Sequence, residues 1–144
     1  MMVLVDTPVW SLALRRKAGD LSPAERRVTQ NLYDLVQQRR VKLLGSTRQE
    51  VLSGIREESQ FVRIRDHLRG FTNVSLDAGD YEEAARASNQ CRRSGIAGSP
   101  VDVLMCSVAL RHGWQVFTTD HVFAHYRTVL GIQLYSEFQN SPGH

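Results

Sequence analysis

Short apolar runs and longer stretches of helical periodicity alternate along this chain. The first run, Val3-Leu4-Val5, is continuous rather than alternating, as expected of a strand covered on both faces. It ends on a carboxylate, Asp6, and breaks at once into Thr7-Pro8, after which Val9 to Arg16 reads as a short helix. Ser22-Pro23-Ala24-Glu25 is a strong helix start, with Ser at the cap, Pro at the first helical position and Glu three residues after Ser. Val28, Leu32, Leu35 and Val36 continue at helical period to about Arg40. Val41 to Leu44 predicts a second strand, with Gly45 letting the chain turn. Thr47 to about Ile55 predicts a helix, and a charged helix follows through about Leu68. Phe71 to Leu76 alternates as a third strand. Asp77 to Arg93 is a helix closed by Ser94-Gly95, and Ser99 to His112 is another, ended by Gly113. Trp114 to Phe117 predicts a strand, His121 to about Thr128 a short helix, and Ile132 to Tyr135 a last strand. Strands alternating with helices of this length imply βαβ crossovers and an α/β fold with a mostly parallel sheet. No repeat or linker interrupts the pattern, so residues 1–140 are expected to form one domain and 141–144 a frayed tail.

Composition narrows the class without naming it. A chain of 144 residues, 42% apolar and 23% charged, is large enough for a real core and too apolar for wholesale disorder. No apolar stretch reaches the roughly 18 residues of a membrane span. The apolar run at the N-terminus is too short for a signal peptide and is interrupted by Asp6, so a cytoplasmic setting is expected. Cys91 and Cys106 have no ligand-like spacing and read as inert core thiols suited to a reducing compartment. The net charge of +3 is compatible with a phosphate-bearing partner without demanding one.

Four acids sit where a strand or loop gives way to a helix: Asp6, Glu50 in STRQEV, Asp102 in GSPVDV and Asp120 in FTTDHVF. Each has a local explanation as a helix cap, with Thr47-x-x-Glu50 and Ser99-x-x-Asp102 resembling capping boxes. Their joint placement says more. In a parallel sheet the carboxyl ends of all strands lie along one edge, where ligands bind. Asp6, Glu50 and Asp120 closely follow predicted strands and belong on that edge, whereas Asp102 follows a Gly-containing loop and its place there does not follow from the pattern. Gathered carboxylates raise each other's pKa values, and a hard divalent cation such as Mg²⁺ or Mn²⁺ relieves that repulsion. Such a cluster equips a protein for metal-assisted attack on a phosphodiester.

These residues carry a resemblance. The opening VLVDTPVW, the segment STRQEVLSGI, the block LDAGDYEEAARASNQCRRSGIAGSPVDVLMCSVALRHG and the late FTTDHVF together resemble, in order and spacing, the PIN-domain family and its VapC-type toxin ribonucleases. The resemblance implies a three-layer α/β/α sandwich, Asp6, Glu50, Asp102 and Asp120 as metal-binding acids, and Mg²⁺ or Mn²⁺ as cofactor. It further implies RNA as substrate, a small VapB-type antitoxin whose C-terminal segment lies across the groove, and a homodimer. The charged region Arg56 to Arg69, with Phe61, Val62, Ile64 and Leu68, is a candidate clamp for that partner, or an ordinary amphipathic helix. Two departures stand out: Pro8 occupies a position where the family often has Ser, and Val122 one where many members have a further Asp. Four acids rather than five remain, which argues for one well-held ion. Thr118 matches a family Thr and is a candidate for holding a water or phosphate oxygen. Ser99 is a further candidate for positioning substrate or water, and is first a helix cap.

Other residues have plainer roles. His121 and His125 are four apart but lack further ligands for zinc, and His112 before Gly113 suits a helix C-terminus. Of the 18 basic residues 16 are arginines, and Arg15, Arg16, Arg92 and Arg93 flank segments near the acidic edge, where guanidinium groups suit phosphates. Trp10 reads as packing. A phosphoacceptor receiver domain would need a Lys after a late strand, and only Lys17 and Lys42 are present. A PIN-like scaffold without catalysis is the remaining alternative, although loss of acids would be its signature. The expected chemistry is hydrolysis of single-stranded or looped RNA by activated water, leaving 5′-phosphate and 3′-hydroxyl ends. No Ser, Cys or His is placed for a covalent intermediate, and no His pair for 2′-hydroxyl attack.

Overall fold

The computed structural model describes residues 1–136, so the predicted tail 141–144 lies outside the described residues. Strand β1 (Val3–Val5) is wholly buried and leads into helix α1 (Thr7–Leu14). A 3-10 turn at Ala18–Asp20 precedes helix α2 (Pro23–Gln37), whose Ser22–Glu25 capping box forms with both reciprocal hydrogen bonds, as the sequence predicts. Strand β2 (Val41–Lys42) is followed by helices α3 (Gly45–Leu52), α4 (Glu58–Leu68), α5 (Ala78–Arg93) and α6 (Pro100–His112). Strand β3 (Gln115–Phe117), helix α7 (Phe123–Leu130) and strand β4 (Gln133–Leu134) complete the described chain.

The sheet is parallel throughout, in the order β2-β1-β3-β4, so the chain steps to one side of β1 and then returns to build on the other. The alternation of side chains along each strand divides the core in two. Val3, Val5, Leu43 and Phe117 face a cluster containing Val9, Trp10, Leu35, Val51, Ile64 and Leu68, from α1 to α4. Leu4, Leu44 and Val116 face the opposite way, toward Cys91, Val103, Met105, Cys106, Phe123 and Tyr126 from α5 to α7. The result is the expected three-layer α/β/α sandwich. Both cysteines are free and buried, and burial pushes their thiol pKa values up, which leaves them inert at neutral pH. No helix among the described residues is long and apolar enough to cross a membrane.

Two local expectations fail for physical reasons. The strand predicted at Phe71–Leu76 reduces to one parallel bridge between Leu43 and Asn73, with Val74 N–H donating to the Leu43 carbonyl at 2.9 Å. A side chain holds part of the segment instead. The Arg48 guanidinium donates to the Leu68 carbonyl at 3.0 Å, to Asn73 Oδ1 at 2.9 Å and to the Phe71 carbonyl, so this edge is clamped rather than laddered. The Thr47–Glu50 capping box also does not form. Helix α3 begins two residues earlier, with Gly45 inside it instead of turning the chain, Leu44 is the cap residue, and Thr47 is a fully buried interior position.

Three charge-assisted hydrogen bonds from one arginine stabilise more than their number of neutral ones. Arg48→Met, which keeps the aliphatic stem, should therefore cost about 2 to 3 kcal/mol in urea unfolding. A loss no larger than that of an exposed arginine would show that the clamp is incidental.

Candidate active site

The edge begins with Asp6. Its backbone leaves β1 in extended conformation, its N–H donates to the Phe117 carbonyl at 2.8 Å, and its side chain caps α1 by accepting from Thr7 N–H at 2.8 Å. The other carboxylate oxygen accepts from the Thr118 hydroxyl, also at 2.8 Å. The Thr118 oxygen in turn accepts from Asp120 N–H at 3.0 Å, so one hydroxyl joins the ends of two adjacent strands. Its proton is committed to Asp6. Asp6 is only 6% exposed. Removal from water pushes its pKa up to about 6; the Thr118 and Thr7 hydrogen bonds oppose that rise, and the charges of Asp102 and Glu50 add to it.

The remaining acids come from three other elements. Asp102 lies in the first turn of α6, where its N–H donates to Ser99 Oγ at 3.1 Å, so Ser99 is the cap that the sequence suggests. Burial raises the Asp102 pKa against the Ser99 and Tyr126 hydroxyls, and the Asp120 charge raises it further. Glu50 is exposed, in the second turn of α3, and its pKa is raised by desolvation and then by Asp102. Asp120 is exposed ahead of α7 and accepts from Val122 N–H at 3.1 Å, shaping the turn rather than capping the helix directly. Asp102 is thus the common neighbour: it raises the pKa of both Asp6 and Glu50, and is itself raised by Asp120.

Sequence reasoning missed two hydroxyls on this edge. Thr7 Oγ1 is buried and lowers the Glu50 pKa, although it makes no hydrogen bond of normal geometry. Tyr126 donates from its phenol to Asp102 Oδ2 at 3.3 Å, and burial followed by the Asp102 charge pushes its pKa up to about 12, so it remains a donor at neutral pH. The rule that buried phenols find partners flags such a residue, but nothing in the sequence says which acceptor it finds. Other candidates separate cleanly. Trp10 is buried edge-on against Phe71, with ring centroids 5.1 Å apart. Ile64 and Leu68 are core residues, which leaves Phe61 and Val62 as the half-buried apolar positions on α4. Arg15 and Arg16 line an open groove of about 660 Å³ that runs between Pro8 and Thr119, beside the acids. Arg16 is partly engaged with Glu25 at 3.7 Å.

The donor set is chemically suited to a hard divalent cation: carboxylate oxygens whose repulsion a cation would relieve, with a buried hydroxyl left unpartnered beside them. Among the described residues no three acidic, His or Cys side chains already converge on a point where an ion could sit. That is compatible with Mg²⁺, which is commonly held by one or two carboxylates, several waters and substrate phosphate rather than by an all-protein cage.

The PIN domain family matches residues 3–129, and the chain belongs to that family. PIN domains are generally nucleases. No curated protein matches the chain. Its fold is similar to that of FitAcB from Neisseria gonorrhoeae, at 18% identity and TM-score 0.73, covering 95% of this chain and 99% of that one. It is also similar to VapBC2 from Rickettsia felis, solved bound to a promoter DNA fragment, at 13% identity and TM-score 0.71, covering 94% and 98%. VapBC-1 from nontypeable Haemophilus influenzae matches at 14% identity and TM-score 0.62, again covering 94% and 98%.

A carboxyl whose pKa is higher folded than unfolded binds its proton more tightly when folded, so stability falls as pH rises from the unfolded value toward the folded one. For Asp6 that window runs from 3.8 to about 6. In metal-free buffer Asp6→Asn should flatten the loss of stability across this window and raise stability at pH 7 by about 1 to 3 kcal/mol. Urea titrations at pH 4, 5, 6 and 7 in EDTA measure it; a less stable Asp6→Asn at pH 7 would contradict the assignment of strain to this carboxylate.

Proposed function

We propose that the protein is a metal-dependent endoribonuclease acting as the toxin of a type II toxin–antitoxin pair. One observation carries the reading. A buried carboxylate at the end of the central strand, Asp6, has its pKa pushed up to about 6 by desolvation, and the charges of Asp102 and Glu50 add to that rise. A stable fold has no need of that repulsion, whereas a cation site does. Asp6, Glu50, Asp102 and Asp120 would hold Mg²⁺ or Mn²⁺, and the chemistry such an ion supplies when bound is activation of water and neutralisation of phosphate charge.

This chain's own groups set the stage for that chemistry. Thr118 fixes the plane of the Asp6 carboxylate, and Thr7 N–H fixes its other oxygen. The groove past Arg15 offers a path for a phosphodiester strand to the acidic edge, because Arg15 lines it together with Thr119, the residue before Asp120. Water attack expels the 3′-hydroxyl and leaves phosphate on the downstream fragment. A small VapB-type antitoxin would cover the same edge with a segment carrying a cation, and the chain would act as a homodimer. Likeness to the VapBC and FitAB structures supports the antitoxin partner, through the fold.

Asp102→Asn keeps the shape of the site and removes one charge. Cleavage of single-stranded RNA in Mn²⁺ should fall by about a hundredfold or more while thermal unfolding is retained. Products should carry 5′-phosphate and 3′-hydroxyl ends. Cyclic 2′,3′-phosphates, or full activity in EDTA, would overturn the chemistry. With Val122 in place of a further acid, calorimetry without RNA should find one weak Mg²⁺ site, and two tight equivalent sites would contradict that count.

A further inference from the structure

The inference drawn here rests on the reading of the acidic edge as a cation site, and concerns a residue outside the acids. Tyr126 projects from α7 into the core, 1% exposed, with its ring edge-on to Phe123 at 5.1 Å between centroids. Its hydroxyl reaches Asp102 Oδ2 at 3.3 Å. The ring can approach α6 this closely because the loop before the helix carries no side chain at residue 98. A Cβ placed on Gly98 would stand 2.7 Å from Val103 Cγ2, 3.1 Å from Tyr126 Cε1 and 3.4 Å from the Tyr126 hydroxyl. Val103 is fully buried and β-branched, so it has no room or rotamer with which to yield. Gly98, Val103, Tyr126 and Asp102 therefore form one packed unit, in which a small residue in the loop admits a phenol to a carboxylate.

The last torsion of an Asp side chain is soft, because its rotation is only weakly two-fold. A half-buried Asp102 without a fixed partner would sample several orientations of its carboxylate plane. We propose that Tyr126 is a positioning residue that holds the Asp102 carboxylate in one orientation for cation binding. It acts through Asp102 and touches neither ion nor RNA. Hydrogen bonds to ligating carboxylates commonly contribute ten- to a hundredfold to metal affinity. The competing account treats Tyr126 as core filling whose hydroxyl bonds to the nearest acceptor, and that account gives the hydroxyl no effect on cation affinity.

Tyr126→Phe separates the two, because it keeps the ring and removes one atom. Free Mn²⁺ counted by electron paramagnetic resonance gives the affinity without reference to activity. The Mn²⁺ dissociation constant should rise about tenfold. On RNA, kcat should fall by a similar factor with KM unchanged, and the urea midpoint should stay close to that of the parent. Equal Mn²⁺ affinity in parent and variant overturns the positioning role and leaves the reading of the edge intact. A loss of affinity matched by a comparable loss of stability marks general loosening and also overturns it. Absence of Mn²⁺ binding by the parent overturns both.

Discussion

The constraint on which this structure depends is the desolvation of one carboxylate. Strand β1 lies in the middle of a parallel sheet covered by helices on both faces, so whatever follows Val5 emerges into a poorly hydrated edge. A neutral residue there would satisfy the fold. Asp6 instead brings a charge that two hydrogen bonds stabilise and that burial and two neighbouring acids destabilise. Four elements converge on that point, and Thr118 joins the ends of β1 and β3 through a single hydroxyl. Stability given up at one place to keep a buried carboxylate among other acids is the usual mark of a functional site.

The two halves of the core hold this edge in different ways. Helices α1 and α3 come from the cluster on one face and bring Thr7 and Glu50; α6 and α7, from the other, bring Asp102 and Tyr126. The acids therefore report on the docking of both helical layers against the sheet. A shift of either layer would change the distance between charges that already repel one another. The Gly98–Val103–Tyr126 contact is a tight fit in that arrangement, because no flexible side chain lies within it to absorb a displacement.

Much of this was legible in the residues, and the exceptions have causes. Val3–Val5, the Ser22 capping box and the Ser99–Gly113 helix were readable because each is specified by local pattern: continuous apolarity, cap chemistry, and a left-handed glycine at the helix end. The strand at Phe71–Leu76 was not readable as a clamped loop, because its fate is decided by Arg48, more than twenty residues earlier in the chain. Thr47 looked like a cap by spacing, yet burial took it into the helix. Asp6, Glu50 and Asp120 could be placed on the edge from strand periodicity alone. Asp102 could be placed only through family resemblance, since no strand precedes it. Thr7 and Tyr126 were invisible, because a hydroxyl gains its role from a tertiary neighbour that no spacing reveals.

The central claim is that the Asp6 carboxylate is held out of its ordinary range by burial and by neighbouring acids that a cation would neutralise. Carbon-13 NMR of the aspartate carboxyls, assigned through the loss of one resonance in Asp6→Asn, reads this directly. In EDTA, Asp6 should titrate at about pH 6. Saturating Mg²⁺ should move that midpoint to lower pH, because the ion competes with the proton. An Asp6 midpoint in the ordinary aspartate range in EDTA, unmoved by Mg²⁺, would contradict the account.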